Sequence, residues 1–202
     1  MDHSIDLYDN GKKQHRKIRV IITIIELAAV IGAAYLIVNV CLMKTVVNGS
    51  SMSPTLTDGM QVIVDRVIYR AKSPKRFDVV LFQKSGSGEL SYSSIKRIIG
   101  LPGETVKISD GIVYINDVPL EEKNAVEQMQ NSGLAADGIT LGEDEYFLLG
   151  DNRNNSEDSR FASVGVVKKS ELKGKVRFIV SPGFDLVDKR NEAGSSTASN
   201  NS

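Results

Sequence analysis

The stretch Thr105-Val-Lys-Ile-Ser-Asp110-Gly111-Ile-Val-Tyr-Ile115 decides the fold class. Two runs rich in β-branched residues flank Asp110-Gly111, and a type I′ turn needs positive φ at both central positions, which Asp-Gly tolerates. The stretch therefore reads as a hairpin with strands at 105–108 and 112–115. The same texture recurs at 61–68, 78–82, 91–99, 146–149 and 175–180, short runs of Val, Ile, Tyr and Phe separated by Gly, Pro, Asp and Asn. This part of the chain is expected to be mainly β. Residues 121–138, polar and containing Ala and Gln, lack strand character and read as a short helix or a surface excursion.

Upstream the texture changes. Residues 20–43 are apolar apart from Thr23, Glu26, Tyr35 and Asn39, long enough as a helix to cross a hydrocarbon core of roughly 30 Å. A cleaved secretory signal has a shorter apolar core and a small-residue cleavage site, so the run reads as one transmembrane helix. Lys12, Lys13, Arg16, Lys17 and Arg19 precede it and Lys44 follows it; that asymmetry puts the N-terminus in the cytoplasm and the β-rich part outside. Glu26, about two turns in, reads as a carboxylate near the inner boundary or one facing a partner helix. The expected organisation is a cytoplasmic segment 1–19, the helix 20–43, an extracytoplasmic domain 44–182 and a tail 183–202 whose composition is that of a disordered segment.

Lys plus Arg and Asp plus Glu balance at 25 each, so no global charge points to nucleic acid. The single cysteine, Cys41, lies in the apolar run, and His3 and His15 precede it. The domain beyond the run thus has neither histidine nor cysteine. That removes a Ser-His-Asp triad, a Cys-His dyad and a histidine or cysteine zinc site together. Serine or threonine with lysine, or paired carboxylates, remain.

Three stretches carry candidates. In Val46-Val-Asn-Gly-Ser-Ser51-Met-Ser-Pro54-Thr-Leu56, β-branched residues run into turn formers, and a serine on such a turn can be presented to a substrate. In Leu90-Ser-Tyr-Ser-Ser-Ile95-Lys96-Arg97-Ile-Ile99, alternation puts Ser94, Lys96 and Ile98 on one face and Ile95, Arg97 and Ile99 on the other. A lysine among isoleucines is poorly solvated, and lowering its pKa from about 10.4 to near 8 takes roughly 3 kcal/mol of differential environment. In Leu149-Gly-Asp151-Asn152-Arg-Asn-Asn-Ser156-Glu-Asp158-Ser-Arg160, hydrogen-bonding groups are dense; Ser156 could orient an amine, and Asp158 with Arg160 could form a bidentate pair.

Together with Arg76-x-Asp78-Val79-Val80 and the Gly100-Leu101-Pro102-Gly103 that follows Lys96, these stretches resemble, in order and content, four sequence boxes of bacterial type I signal peptidases. The resemblance runs from the apolar segment to about Phe178. It implies a membrane-bound serine endopeptidase that cleaves signal peptides from exported preproteins after a small residue. By the same resemblance Ser51 is the nucleophile, Lys96 the general base, and Ser156 the hydroxyl that hydrogen-bonds the lysine amine. Asp158 and Arg160 form a supporting ion pair, Asp151 and Asn152 are loop positions near the site, and Val47, Met52, Leu56 and Ile95 line shallow pockets for small side chains. The implied fold is a β-rich catalytic core with a small cap insertion at about 121–140, short as in Gram-positive enzymes. The implied partners are preprotein signal peptides, membrane lipid and, by proximity, the secretion translocase, with no nucleic acid, metal or cofactor. Gly49 stands where some members have a serine that joins the oxyanion hole, so oxyanion binding would rest on backbone N–H groups, notably that of Ser51. A self-cleaving repressor-type Ser-Lys protease, a specialised pilin or assembly peptidase, and a tethered β-domain with no catalytic activity are the alternatives.

Overall fold

The computed structural model describes residues 3–85, 91–122, 127–181, 183 and 185–187. The chain divides into two units, Met1–Cys41 and Leu42–Ser202. The first is a single helix, α1 (His3–Cys41). Within it, Arg16–Cys41 is long and apolar enough to cross a membrane, and large side chains such as Ile24, Leu27, Ile31 and Leu36 are exposed. The polar segment 1–19 was expected to lie outside the helix; from His3 onward it continues α1 instead, because extending a formed helix carries no nucleation cost.

The second unit is built almost entirely of strands: β1 (Leu42–Val46), β2 (Gln61–Asp65), β3 (Val79–Ser85), β4 (Ser91–Gly100), β5 (Thr105–Ser109), β6 (Ile112–Ile115), β7 (Val118–Pro119), β8 (Ile139–Thr140), β9 (Glu145–Leu149), β10 (Val167–Lys168), β11 (Leu172–Ser181) and β12 (Asp185–Leu186), with one short helix, α2 (Ile68–Ala71), after β2. All pairings are antiparallel. The larger sheet has the order β1-β2-β11-β3-β4-β9-β10, with β12 against β11, and the smaller has β7-β6-β5-β8. The fold is therefore mainly β with one N-terminal helix. The hairpin that predicts it is present: Asp110 and Gly111 take φ of 51° and 76° between β5 and β6.

Several boundaries differ from the sequence reading. The helix expected to reach Met43 stops at Cys41, because Leu42–Val46 satisfies its backbone by pairing with β2, Leu42 opposite Asp65 and Val46 opposite Gln61. The strand expected over 61–68 stops at Asp65, whose Oδ1 accepts the N–H groups of Val67 and Ile68 at 3.1 Å each and turns the chain into α2. The stretch read as a short helix or excursion at 121–138 contains, among its described residues, one 3₁₀ turn at Gly133–Ala135; Met129 and Ala135 are buried against the smaller sheet, and residues 123–126 lie outside the described residues. The tail expected from 183 is ordered at 185–187, where β12 pairs with β11 and Val187 is buried in the core; residues 188–202 lie outside the described residues.

Three apolar clusters fill the unit. One joins Val47, Met52 and Leu56 to Val62, Val64, Val79, Leu81, Ile95, Val176 and Ile179, and so ties the Ser51 turn to the centre of the larger sheet. A second, including Val106, Val113, Phe147 and Leu149, lies against the smaller sheet, and a third gathers Val80, Phe82, Ile98, Tyr146 and Leu148. From Ile95 to Gly100, β4 is buried on both faces.

Candidate active site

Ser51 sits on a turn held from both sides. The Val47 N–H donates to the Met60 carbonyl at 2.8 Å and the Gly59 N–H to the Val47 carbonyl at 2.9 Å, closing the loop at its base. At its apex Gly49 takes φ of +83°, which suits glycine, and its N–H donates to Asp58 Oδ1 at 2.7 Å. Met52 and Leu56, both at most 1% exposed, anchor the turn in the core; burying such a side chain stabilises by about 1.5–3 kcal/mol.

A second loop, after β9, grips the same turn. The Asn152 N–H donates to the Ser51 carbonyl at 3.0 Å, Asn152 Nδ2 to the Ser50 carbonyl at 3.2 Å, and Asn155 Nδ2 to Ser50 Oγ at 2.8 Å. Gly150 lets these loops approach: a Cβ there would lie 2.5 Å from the Ser51 carbonyl oxygen and 2.2 Å from Ser156 Oγ. Asn155 and Ser50 were not singled out from sequence, because an exposed asparagine carries no sign of the distant turn it will meet.

Lys96 comes from β4, and its Nζ lies 2.6 Å from Ser51 Oγ. The lysine is 3% exposed. Burial pushes its pKa down from 10.5 to about 8, against the carboxylates of Asp158, Glu157 and Asp151, which favour the ammonium. A serine hydroxyl and an amine of this kind form a proton-transfer pair that needs neither histidine nor metal. No group of three or more His, Cys, Asp or Glu placed to hold a metal occurs among the described residues.

The expected hydrogen bond from Ser156 to the lysine amine is not formed. Ser156 Oγ is buried without a hydrogen-bond partner among the described residues, packed beside Gly150, while Lys96 Nζ is engaged with Ser51. Asp158 and Arg160 do pair in bidentate fashion, Nε to Oδ1 at 2.8 Å and a terminal nitrogen to Oδ2 at 2.9 Å. Asp158 also receives the Gly150 N–H at 3.1 Å, and Arg160 donates to the carbonyls of Asn131 and Arg153 at 3.0 and 2.6 Å. The pair thus fixes the loop that fixes the Ser51 turn.

Asp151 has a partner the sequence reading did not assign. Arg97 donates from Nε to Oδ1 at 2.7 Å and from a terminal nitrogen to Oδ2 at 2.5 Å, and Thr55 Oγ1 donates to the same Oδ2 at 2.5 Å. Arg97 and Asp151 are each about 1% exposed, so β4, the Ser51 turn and the loop after β9 meet at one buried ion pair. The clue lay in Arg97 itself: a guanidinium between isoleucines of a central strand is tolerated only with a buried carboxylate. A further buried pair, Arg153 with Glu122, ties the same loop to the chain after β7.

Beside Ser51 is a cavity of about 110 Å³ whose walls include Val47, Met52, Leu81 and Ile95. Three of the four residues expected there, Val47, Met52 and Ile95, line it. Leu56 does not; fully buried, with its N–H on the Met52 carbonyl at 2.8 Å, it packs into the core and supports the turn.

Known proteins match the chain across these elements. Residues 18–181 match the family model described as signal peptidase, peptidase S26. Signal peptidase I U of Bacillus subtilis (strain 168) is 33% identical over 178 residues, 84% of this chain and 91% of its own length. A probable signal peptidase I-2 of Synechocystis is 37% identical over 144 residues, 68% of this chain and 63% of its own. A crystal structure of a signal peptidase I from Enterococcus faecalis V583 is 36% identical, covers 52% of this chain and 97% of that one, and superposes with a TM-score of 0.42.

Proposed function

The chain belongs to the signal peptidase family, peptidase S26, and from that premise we propose that it is a membrane-anchored serine endopeptidase that removes signal peptides from exported preproteins after a small residue. The observation that carries the reading is the 2.6 Å approach of the buried Lys96 amine to Ser51 Oγ. In the proposed reaction neutral Lys96 takes the proton as Ser51 Oγ attacks the scissile carbonyl. The ammonium returns that proton to the departing amine as the peptide C–N bond breaks, leaving an acyl ester on Ser51. Water, deprotonated by the neutral amine, then hydrolyses the ester. With glycine at position 49 the oxyanion falls to backbone N–H groups, that of Ser51 first.

The remaining residues support this pair. Asn152, Asn155 and the Asp158–Arg160 pair hold the loop that positions the Ser51 turn, and Asp151 with Arg97 locks β4 beneath it. The cavity beside Ser51, with Val47, Met52, Leu81 and Ile95 in its walls, supports the reading by offering an apolar surface to the side chain before the cut. The helix Arg16–Cys41 is the proposed anchor, with the N-terminus cytoplasmic because the basic cluster at 12–19 sits at its N-terminal end. On this proposal the β-rich unit lies outside, and proximity to the secretion translocase is what the family resemblance implies.

The test is processing of a precursor with an Ala-x-Ala site. Ser51→Ala and Lys96→Ala are each expected to lower cleavage by about 10³-fold or more, with the circular dichroism spectrum unchanged. Full cleavage by either variant would refute the dyad.

A further inference from the structure

Away from the dyad, the residues following β2 form a second charged feature. Residues 66–76 contain Arg66, Arg70, Lys72, Lys75 and Arg76 and no acid. Arg76 is bound by Glu104, with a terminal nitrogen 2.6 Å from Oε1. The acids that flank the segment are occupied from inside: Asp65 accepts the Val67 and Ile68 N–H groups and faces Arg177 at 3.4 Å, while Asp78 accepts the Tyr69 hydroxyl at 2.9 Å, the Lys75 N–H at 3.0 Å and Lys175 Nζ at 2.9 Å. Arg66, Arg70, Lys72 and Lys75 are left exposed, with no ion pair among the described residues. Lys72 and Lys75 also line, with Lys175 and Arg177, a cavity of about 180 Å³. Four uncompensated cations on one short segment repel one another, an arrangement that costs stability unless an anion meets it.

The strand register sets the segment beside the start of β1. Leu42, the first residue after the helix, pairs with Asp65, and Lys175 is opposite Asp65 on the other side. The basic segment therefore leaves the sheet at the end where the chain emerges from α1, within about 10 Å of Leu42 by strand spacing and one further residue. We propose that Arg66, Arg70, Lys72 and Lys75 form a docking face for anionic lipid headgroups of the leaflet in which the helix ends. The face holds the β-rich unit against that leaflet. This rests on reading Arg16–Cys41 as a membrane span; it does not depend on the Ser51–Lys96 chemistry.

The full-length protein in nanodiscs tests it by hydrogen–deuterium exchange. Amides of residues 66–76 are expected to exchange about five-fold or more slowly in discs containing phosphatidylglycerol than in phosphatidylcholine discs, as one or more basic side chains engage the surface. The protection is expected to vanish in high salt and in the variant Arg66→Gln/Arg70→Gln/Lys72→Gln/Lys75→Gln, and to persist in Arg66→Lys/Arg70→Lys. Cleavage of a short soluble peptide, unchanged in both variants, reports that the unit is folded; failure of the wild type to cleave it would count against the protease reading alone. Equal exchange in the two lipids overturns the proposal. Protection appearing in phosphatidylcholine discs on addition of inorganic phosphate also overturns it, in favour of a free-anion site.

Discussion

At the scale of single residues, the behaviour of Lys96 follows from its burial. Its amine has a pKa of about 8, and the proposed base is the neutral form, so kcat/KM is expected to rise with pH and level off above about 8, falling about tenfold per unit below it. The same shift has a signed consequence for stability. A lysine whose folded pKa lies below its unfolded value of 10.5 penalises folding fully below about pH 8; the penalty fades between 8 and 10.5 and is gone above that. Lys96→Met is therefore expected to be inactive yet more stable than wild type at pH 7, by up to about 3 kcal/mol. The advantage should shrink as the pH approaches 10. Urea unfolding across that range measures it, and parallel curves for the two proteins would contradict the buried-amine account. The turn around Ser51 and the apolar neighbours of Lys96 were visible in the sequence, but the roles proposed for the two came from the resemblance of the ordered boxes to the family and not from either stretch alone. The missing Ser156 hydrogen bond was not, because it depends on side-chain orientation at a position where chain spacing says nothing.

At the scale of elements, the site is held where β4, the Ser51 turn and the loop after β9 converge on Arg97 and Asp151. Breaking one side of a buried pair leaves the other charge without compensation, at a cost of about 3–5 kcal/mol, whereas replacing both with apolar groups is far milder. Asp151→Ala is thus expected to lower the thermal midpoint sharply, and Asp151→Leu/Arg97→Met to recover most of the loss. Differential scanning fluorimetry of the two variants decides it; equal destabilisation would mean the pair is not the locus of the strain. Strand alternation anticipated that Lys96 and Arg97 point to opposite faces of β4. It did not show that both faces are buried, because the clusters covering them are assembled from β2, β3, β9 and β11, far away in sequence.

At the scale of the whole molecule, the boundary between helix and β-rich unit falls at Cys41–Leu42, with β1 belonging to the unit. Removing residues 1–41 is expected to leave a folded unit that cleaves a short soluble peptide. Removing residues 1–46 as well takes away the β1 ladder, exposes the β2 edge and should lower the urea midpoint markedly. Comparison of the two truncations by circular dichroism and urea titration checks this, and similar midpoints would show that β1 contributes little. By itself the sequence determined the mainly β class, an apolar helix of membrane-spanning length and the absence of histidine and cysteine from the β-rich part, since each of these is written in local spacing and residue type, whereas the proposed roles of Ser51 and Lys96 rest on the resemblance of several ordered boxes to the family. The tertiary structure alone decided that Val187 closes the core, that Leu42 starts a strand, that Arg97 pairs with Asp151 and that Asn155 reaches Ser50. Each of these joins segments distant in the chain or competing for the same backbone hydrogen bonds, and the outcome of that competition is an energy of the assembled sheet and is not encoded in any one stretch.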